Sequence, residues 1–360
     1  MLAFITRRTL LAIPVLFGIM VVVFMLVRAI PGEPCSAILG EQATPEACER
    51  FNEANGLNEP LIVQLAIYIG NVVTFNLGES IRFSIPVTQL LVERLPLTIE
   101  LAMSALFLAV VVGVPLGIIA ARRHNTAIDA GTMAFANIGV SMPVFWLGLM
   151  LAYLFAVVLK DTPLALPPGG RLSAGVVSVP YYVVWNWNLT EGSTWAGINE
   201  FVGNFVIFNS FITGQWSVWW DAVQHMILPA ITLATIPMAI IARITRSSLL
   251  EAMNKDYIRT ARSKGATETR VVAKHGLRNS LLPVVTIIGL QMGLLLGGAV
   301  LTETVFRLAG VGTALFDAIT GRDYAVVQGF TVIIAAGYVV VNLLVDLSYG
   351  YLDPRIRVSK

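Results

Sequence analysis

The chain has little of the chemistry that enzymes and metalloproteins depend on. Among its 360 residues there are two cysteines and three histidines, and no set of His, Cys, Asp and Glu has the spacing of a metal site. No glycine-rich loop is suited to phosphate binding, since the GVPLG segment (113–117) reads as a proline-bent helix, and no serine lies in a nucleophile elbow. We therefore expect no catalytic residue, no metal and no cofactor in this chain.

Charge is also scarce. Charged residues make up 13% of the chain and hydrophobic residues 56%, and the mean hydropathy is +0.76. A soluble domain carries about 25% charged residues, so this composition predicts an integral membrane protein. The net charge of +2 gives no indication of nucleic-acid binding.

Apolar residues are concentrated in six windows, each reaching the length of about 17–25 residues that a helical span needs. No series of alternating ten-residue segments indicates a barrel. The sequence thus predicts an all-α membrane protein with six transmembrane helices, in the windows Thr9–Val27, Leu101–Ala121, Ala130–Leu159, Ala222–Ala242, Asn279–Thr302 and Tyr324–Val345.

The distribution of Lys and Arg predicts the orientation. With the N-terminus inside, 16 of these residues lie on the cytoplasmic side and 8 on the outer side. The positive-inside rule then favours an N-in, C-in topology in the cytoplasmic (inner) membrane. The N-terminal span is too long for a signal peptide and lacks a cleavage site before Arg28, so we expect it to be retained.

This topology divides the chain into a first transmembrane helix, an outer loop region with short helices at Pro60–Val73 and Pro86–Arg94, and a core of five spans. The second short helix is expected to stop at Pro96. The core contains an outer insertion and a cytoplasmic segment. The boundaries are 1–29, 30–97 and 98–360, with the insertion at 160–221 and the cytoplasmic segment at 243–280.

Both cysteines, Cys35 and Cys48, lie in the first outer loop. In an oxidising compartment they can form a disulfide that stabilises the fold by up to about 3 kcal/mol. Two free thiols are the alternative. The insertion 160–221 holds six of the seven tryptophans, which is typical of an interfacial belt; a surface for an outside partner is the alternative.

The segment Ser248–Thr286 is the most informative part of the chain. It belongs to a stretch with nine Lys and Arg residues between Arg243 and Arg278. Leu249, Met253, Tyr257 and Ala261 recur at four-residue spacing, as on one helical stripe. Gly265 follows as a helix stop, and a second short helix starts near Thr267. The pattern predicts a helix–turn–helix elbow for docking a partner; a solvated basic loop is the alternative.

Buried ionisable residues are expected to be limited to Glu303 and Asp346, each directly after the end of an apolar window, and we expect Asp346 to cap or pair locally. An ion-coupled transporter needs a carboxylate near the middle of the membrane, so this class is disfavoured. In the fifth span Gly289, Gly293 and Gly297 form a small-residue face. With Ser141 and Gln291, they are candidates for helix packing or a translocation path.

The order of motifs resembles the permease subunits of ATP-binding-cassette importers for peptides, specifically the dipeptide permease B type. The resemblance runs nearly end to end and implies the fold of a type I importer permease. The motifs are PGEP (31–34), NGLNEPL (55–61), LGES (77–80), RLPLTIEL (94–101), SMPVFW (141–146), HMILPAITL (225–233), TRSSLLEAMNKDYIRTARSKG (245–265), HGLRNSLLPVVT, GGAVLTETVF, RDYAVVQG and NLLVDLSYGYLDPRIR.

The resemblance implies that the elbow is the segment that couples the permease to an ATPase subunit. Importers in general carry Glu-Ala-Ala followed by a glycine six residues after the Glu. Here Gly265 matches the glycine, while Arg259, Thr260 and Ala261 occupy the signature positions, as is common in the peptide branch. Tyr257 and Ala261 are then expected to face the ATPase groove.

The resemblance also implies the partners: a homologous second permease, two ATPases that bind ATP and magnesium, an extracytoplasmic peptide-binding protein and membrane lipid. Transport of dipeptides or short peptides would proceed by alternating access. Other cargo of the same family (oligopeptides, glutathione or nickel) and an ion-coupled secondary transporter are the alternatives.

Overall fold

The computed structural model describes residues 2–29, 35, 43–54, 56–80, 82–190 and 193–352. These residues form helices joined by turns, with one isolated β-bridge between Glu79 and Pro86. The α-helices are α1 Leu2–Ala29, α2 Pro45–Ala54, α3 Leu61–Val73, α4 Val87–Arg122, α5 Ala127–Ser141, α6 Val144–Tyr153, α7 Tyr181–Val184, α8 Thr194–Gly203, α9 Val206–Ile212, α10 Trp216–Met253, α11 Asp256–Ser263, α12 Glu268–Arg270, α13 Arg278–Gly298, α14 Val300–Val305, α15 Val311–Thr320 and α16 Tyr324–Leu352.

Five helices in the described residues are long and apolar enough to cross a membrane, and there are six candidate spans when a bent pair is counted as one. The five are α1, α4, α10, the continuous helix Glu268–Gly297 and α16. That helix joins α12 and α13 through a π-helical segment, Val271–Leu277. The predicted all-α membrane protein with six spans is confirmed.

The third span is not the single straight segment that its sequence window suggests. Its halves, α5 and α6, meet at 99°. Met142, between them, has an extended backbone (φ −92°, ψ 133°), because the ring of Pro143 disfavours the helical conformation in the preceding residue. Ser141 is therefore the last residue before a sharp bend.

The centre of the molecule is the seam between α4 and α10. Small residues of α4 let the two backbones approach closely: a Cβ atom on Gly113 would lie 2.7 Å from the carbonyl oxygen of Met238, and one on Gly117 would lie 2.5 Å from that of Ala242. The GVPLG segment is thus a helix-packing surface, which is how small residues commonly serve membrane helices. The helix was predicted from the sequence, but its packing role was not.

The expected helix stop at Pro96 is wrong. A helix does begin after Pro86, but α4 continues through Pro96 to Arg122. Proline has no N–H, so the carbonyl of Val92 loses its helical donor. The Nδ2 atom of Asn204 donates to that carbonyl at 3.2 Å, which replaces the missing bond. The predicted helix after Pro60 is confirmed as α3.

Between α1 and α4, the structure joins Cys35 and Cys48 in a disulfide, with 5.3 Å between their Cα atoms. The two cysteines are 13 positions apart in the sequence. The bond ties the N-terminal side of this loop to α2, where Cys48 lies.

We expect a thiol reagent to leave the intact protein unlabelled until reductant is added. The reason is that the chain's only two cysteines are both in the disulfide. Labelling of both residues without reductant, measured by mass spectrometry under denaturing conditions, would contradict the bridge.

Candidate functional site

The basic elbow, which we define as residues 254–270, forms a compact turn between α10 and the helix of the fifth span. Helix α10 ends at Met253, and α11 starts at Asp256, with two residues between the helices. Thr267 then precedes the long helix Glu268–Gly297. The predicted start near Thr267 is confirmed, but the second helix of the elbow is the beginning of the fifth span and is not short.

Gly265 closes α11 in a Schellman motif, as its sequence position suggests. Its φ is +75°, and its N–H donates to the carbonyl of Arg262 at 2.9 Å. The N–H of Ala266 donates to the carbonyl of Ala261 at 3.2 Å. These two bonds satisfy carbonyls that a helix end leaves without partners. The glycine is required because a side chain is disfavoured at positive φ.

We expect Gly265→Val to strain the elbow by about 1–2 kcal/mol, because a β-branched residue tolerates the left-handed region poorly. Membrane insertion should be unchanged. Nothing lies within 4 Å of the added Cβ, so the effect is one of backbone conformation. The measurement is thermal unfolding together with peptide-stimulated ATP hydrolysis by the assembled complex. Gly175→Val, at another positive-φ glycine (+86°) with open space around it, is the control: it should be strained similarly but keep its ATP hydrolysis.

The inner side of α11 packs against the chain itself. Ile258, Ala261 and Val271 form a buried cluster, with Met253 and Ala266 against it. The expectation that Tyr257 and Ala261 share one outward stripe is therefore wrong for Ala261, which is 9% exposed. Tyr257 and Ala261 lie four positions apart within α11, about 40° apart around the helix, so Ala261 falls on the buried face with Ile258 while Tyr257 falls outside it. Ala261 is small because Val271 lies beneath it.

The outer side of α11 is free of such packing. Tyr257 is 40% exposed, the Arg259 side chain is 81% exposed, and Thr260 is exposed. Arg262 instead pairs with Glu268 across the turn, at 2.8 Å, and this hydrogen bond raises the pKa of the Arg262 guanidinium. An aromatic ring, a cation and a hydroxyl thus point away from the chain's own core.

Arg246, counted with the elbow's basic charges, has a partner of its own. Its Nε and Nη2 atoms bind the two carboxylate oxygens of Asp129, each at 2.7 Å. Asp129 also accepts the N–H of Asn125 at 3.0 Å. This bidentate ion pair joins α10 to the start of α5. This pair could not be predicted from local sequence, because the two residues are 117 positions apart.

Three further carboxylates were missed or misread: Glu100 and Asp323 are buried, and Asp346 is half-buried. Glu100, inside α4, pairs with Arg171 at 2.9 Å. Asp323 caps α16 and accepts the hydroxyl of Ser80 at 2.6 Å. Asp346 pairs with Arg8 of α1 at 2.9 Å, so its expected local pairing is wrong. Each carboxylate joins separate elements and has a fixed partner.

Glu303 is fully buried and holds the end of another helix. The hydroxyl of Thr98 donates to its Oε1 at 2.7 Å, and the N–H of Thr313 donates to its Oε2 at 3.0 Å. The carboxylate thereby caps the N-terminus of α15, where Gly310 offers no side chain. Burial raises the pKa of Glu303, and the hydrogen bonds oppose this rise.

The candidate packing residues of the fifth span separate into two kinds. A Cβ on Gly289 would overlap Val345 of α16, and one on Gly293 would overlap the ring of Tyr338. Both glycines therefore serve contact within this chain. A Cβ added to Gly297 would have no atom within 4 Å. Gln291 is buried on the same helix, and Ser141 lies at the bend of the third span, so the structure does not bring these two together with the glycines as one site.

The tryptophan-rich insertion forms two aromatic groups. Tyr181, Trp185 and Trp187 contact one another with ring centroids 5.4–5.8 Å apart. Phe211 contacts Trp216 and Trp219 in the second group, with centroids 5.6 and 6.2 Å apart. Large exposed rings remain on this surface: Trp185, Trp187, Trp195, Trp216 and Trp220.

Comparison with known proteins gives a consistent result along the chain. Residues 113–358 match the model of the binding-protein-dependent transport system inner membrane component, and residues 1–102 match that of the N-terminal part of the same membrane components. The dipeptide transport system permease protein DppB of Alkalihalophilus pseudofirmus is 44% identical over 99% of this chain and all of its own. The Escherichia coli protein of that name is 43% identical over the full length of both chains.

A third relative, the di/tripeptide transport system permease protein DppB of Pseudomonas aeruginosa, is 41% identical over 99% of each chain. Both the family model and the full-length identities place the chain in a membrane, in agreement with its spanning helices. The chain belongs to the family of inner-membrane permease components of binding-protein-dependent transport systems.

Proposed function

We propose that this chain is the transmembrane subunit of an ATP-driven importer that moves dipeptides or other short peptides into the cytoplasm. The names of its relatives support peptide as the cargo. An oligopeptide transport system permease protein of Bacillus subtilis, AppB, is also 38% identical over 99% of the chain. We therefore propose short peptides as the cargo, without a fixed length. A separate binding protein would select among them.

The assembly that we propose contains two permeases, this chain and a homologue, with two cytoplasmic ATPases that hold ATP and magnesium. An extracytoplasmic protein delivers the peptide. The N-terminus and C-terminus face the cytoplasm, which puts the basic elbow on the side of the ATPases. The chain itself then performs no bond chemistry.

The observation that carries this proposal is the set of exposed side chains that α11 presents outside the chain's own core: Tyr257, Arg259 and Thr260. A groove in an ATPase subunit can accept such a short helix, with the ring as an apolar anchor. The inward face connects α11 to two spans: Met253 ends α10, and Val271 belongs to the fifth span's helix. A displacement of α11 is thereby transmitted to both spans, as alternating access requires.

The buried carboxylates support ATP as the energy source. Within the described residues, Glu100, Asp129, Glu303 and Asp323 all accept hydrogen bonds from other elements. A proton or sodium relay needs a carboxylate that changes partners during the cycle. Carboxylates that are hydrogen-bonded between elements in this way are better suited to holding helices together.

The test combines Tyr257→Ala with Arg259→Glu on the outward face of the elbow. Loss of an anchor and reversal of a charge at an interface typically cost 2 kcal/mol or more, so we expect the ATPases to be lost on pull-down and peptide uptake to fall at least about tenfold. Arg123→Glu, an exposed charge outside the elbow, is the matched control and should keep both. If the double variant retains the ATPases and transports normally, the elbow is a solvated basic loop.

A further inference from the structure

Residues 201–220 lie outside the apolar windows of the spans, yet they contain no charged residue. A water-exposed segment of this length carries about five charges. The segment covers the end of α8, all of α9 and the first turn of α10. Seven of its side chains are aromatic: Phe201, Phe205, Phe208, Phe211, Trp216, Trp219 and Trp220. This composition favours contact with lipid over contact with water.

The side chains of α9 are arranged in the opposite way to those of a helix on a water-exposed surface. Asn209 and Ser210 are fully buried, while Phe208 is 51% exposed and Phe211 is 54% exposed. The amide oxygen of Asn209 accepts the N–H of Tyr181 at 2.7 Å, so this polar group is satisfied inside the protein. Helices beside water expose polar residues and bury phenylalanine. The outward face of α9 therefore indicates an apolar environment beside it.

The position of α9 along the spans matches the edge of a bilayer. The N–H of Ile207 donates to Oε1 of Glu100 at 2.8 Å, and Glu100 directly precedes the apolar window that begins at Leu101. Trp220 lies two positions before the window that begins at Ala222, about 3 Å along the helix. The start of α9 and the first turn of α10 thus lie where two spans leave the hydrocarbon core, at the end of α10 opposite the elbow.

The exposed face of α9 is continuous with the exposed face of the fourth span. Trp216 and Trp220 are exposed in the first turns of α10, and Ile227 (half-buried) and Ile231 (exposed) follow on the same helical stripe. The rings of Phe211 and Trp216 are in contact, with centroids 5.6 Å apart. One apolar surface therefore runs from α9 down the side of a membrane-spanning helix.

Of the two alternatives for the tryptophan-rich insertion, we propose the membrane for this part of it. Helix α9 and the first turn of α10 lie in the bilayer interface opposite the elbow, and Phe208, Phe211, Trp216 and Trp220 contact phospholipid where the headgroups meet the acyl chains. Uncharged aromatic surfaces fit this region. A protein interface has a polar rim, whereas the large exposed side chains here are aromatic.

This contact anchors the insertion to the membrane, because α9 is joined to α4 through Glu100 and to the start of α10 through its aromatic rings. The binding protein of the proposed importer must then dock on another part of the chain, since lipid covers this surface. The anchor depends neither on the cargo nor on ATP, so its failure would leave the proposed function standing.

The test places the photoreactive residue p-benzoylphenylalanine at Phe208 or at Phe211. The complete complex, with its partner subunits and the binding protein, is irradiated in vesicles of phosphatidylethanolamine and phosphatidylglycerol, and adducts of this chain are identified by mass spectrometry. We expect phospholipid adducts at both positions, whether or not the binding protein is present. An adduct with the binding protein at either position, or no phospholipid adduct at both, would overturn the proposal.

Gln89 is the control position for the photoreactive residue. It is exposed on α4, twelve positions before Leu101 and thus about 18 Å along the helix from the hydrocarbon core. The headgroup layer is roughly 5–8 Å thick, so Gln89 should give no phospholipid adduct. Adducts of equal yield at Gln89 and Phe211 would show that the reaction does not report the interface, and would remove the support for the anchor.

A second measurement compares two double variants of α9. Phe208→Leu with Phe211→Leu keeps the face apolar and should leave the thermal unfolding midpoint of the complex in vesicles close to that of the wild type. Phe208→Asp with Phe211→Asp puts two carboxylates against lipid, which is unfavourable, and should lower the midpoint. On a water-exposed surface the Asp substitutions would be tolerated, so equal midpoints for the Leu and Asp variants would contradict the membrane contact.

Discussion

Gly289→Ala is expected to destabilise the contact between the fifth and sixth spans by about 1–3 kcal/mol, the usual cost of overpacking. An added Cβ would overlap a Cγ atom of Val345 and lie 3.0 Å from its Cβ. Valine has one strongly preferred rotamer in a helix, so it cannot easily turn away. The helices α13 and α16 must then separate. The measurement is the thermal unfolding midpoint of the purified complex.

Gly297→Ala is the matched control on the same helix. Its Cβ has nothing within 4 Å, and alanine has the higher helix propensity. The same chemical change should therefore be neutral or slightly stabilising at this position. An equal loss of stability in both variants would mean that the contact between α13 and α16 is not the close one described.

Asp129→Asn is expected to cost about 2–3 kcal/mol, less than breaking a fully buried ion pair, because the Arg246 side chain is 26% exposed. Asp129 is 5% exposed, and the substitution leaves the Arg246 guanidinium facing a neutral amide. Helix α10 would lose its attachment to the start of α5, next to the elbow. We expect a lower unfolding midpoint and a smaller yield of assembled complex.

Lys255→Gln provides the comparison for this second prediction. Lys255 pairs with Glu251 at 3.1 Å, but the two side chains are 54% and 75% exposed, and such pairs contribute about 0–1 kcal/mol. Replacing both members of the buried pair, as Asp129→Leu with Arg246→Met, should restore part of the stability, because no uncompensated charge remains. A small effect of Asp129→Asn, similar to that of Lys255→Gln, would contradict the structural role of the pair.

The spans and the elbow's turn could be predicted from the sequence because they depend on local signals. Long apolar windows fix the number of spans, and Gly265 after a basic turn marks the end of α11. The rotation of α11 could not be predicted. It depends on the contacts of Ile258 and Ala261 with Val271, which place Ala261 on the buried face and leave Tyr257 40% exposed.

Features that depend on distant partners also escaped prediction. Pro96 has the signal of a helix end, yet Asn204, more than a hundred positions away, satisfies the carbonyl that it frees. Glu100 and Asp129 look like isolated charges until Arg171 and Arg246 are placed beside them. Glycines recur every four residues in both α4 and α13. This spacing does not indicate which of them contact a neighbouring helix, and only the structure shows it.

The most direct measurement of the central claim is the uptake of a labelled dipeptide into proteoliposomes that contain the complete complex. ATP is supplied on the side of the elbow, and ion gradients are removed with ionophores. We predict uptake that requires ATP hydrolysis and persists without a proton or sodium gradient. Uptake that follows an ion gradient and proceeds without ATP would contradict the account.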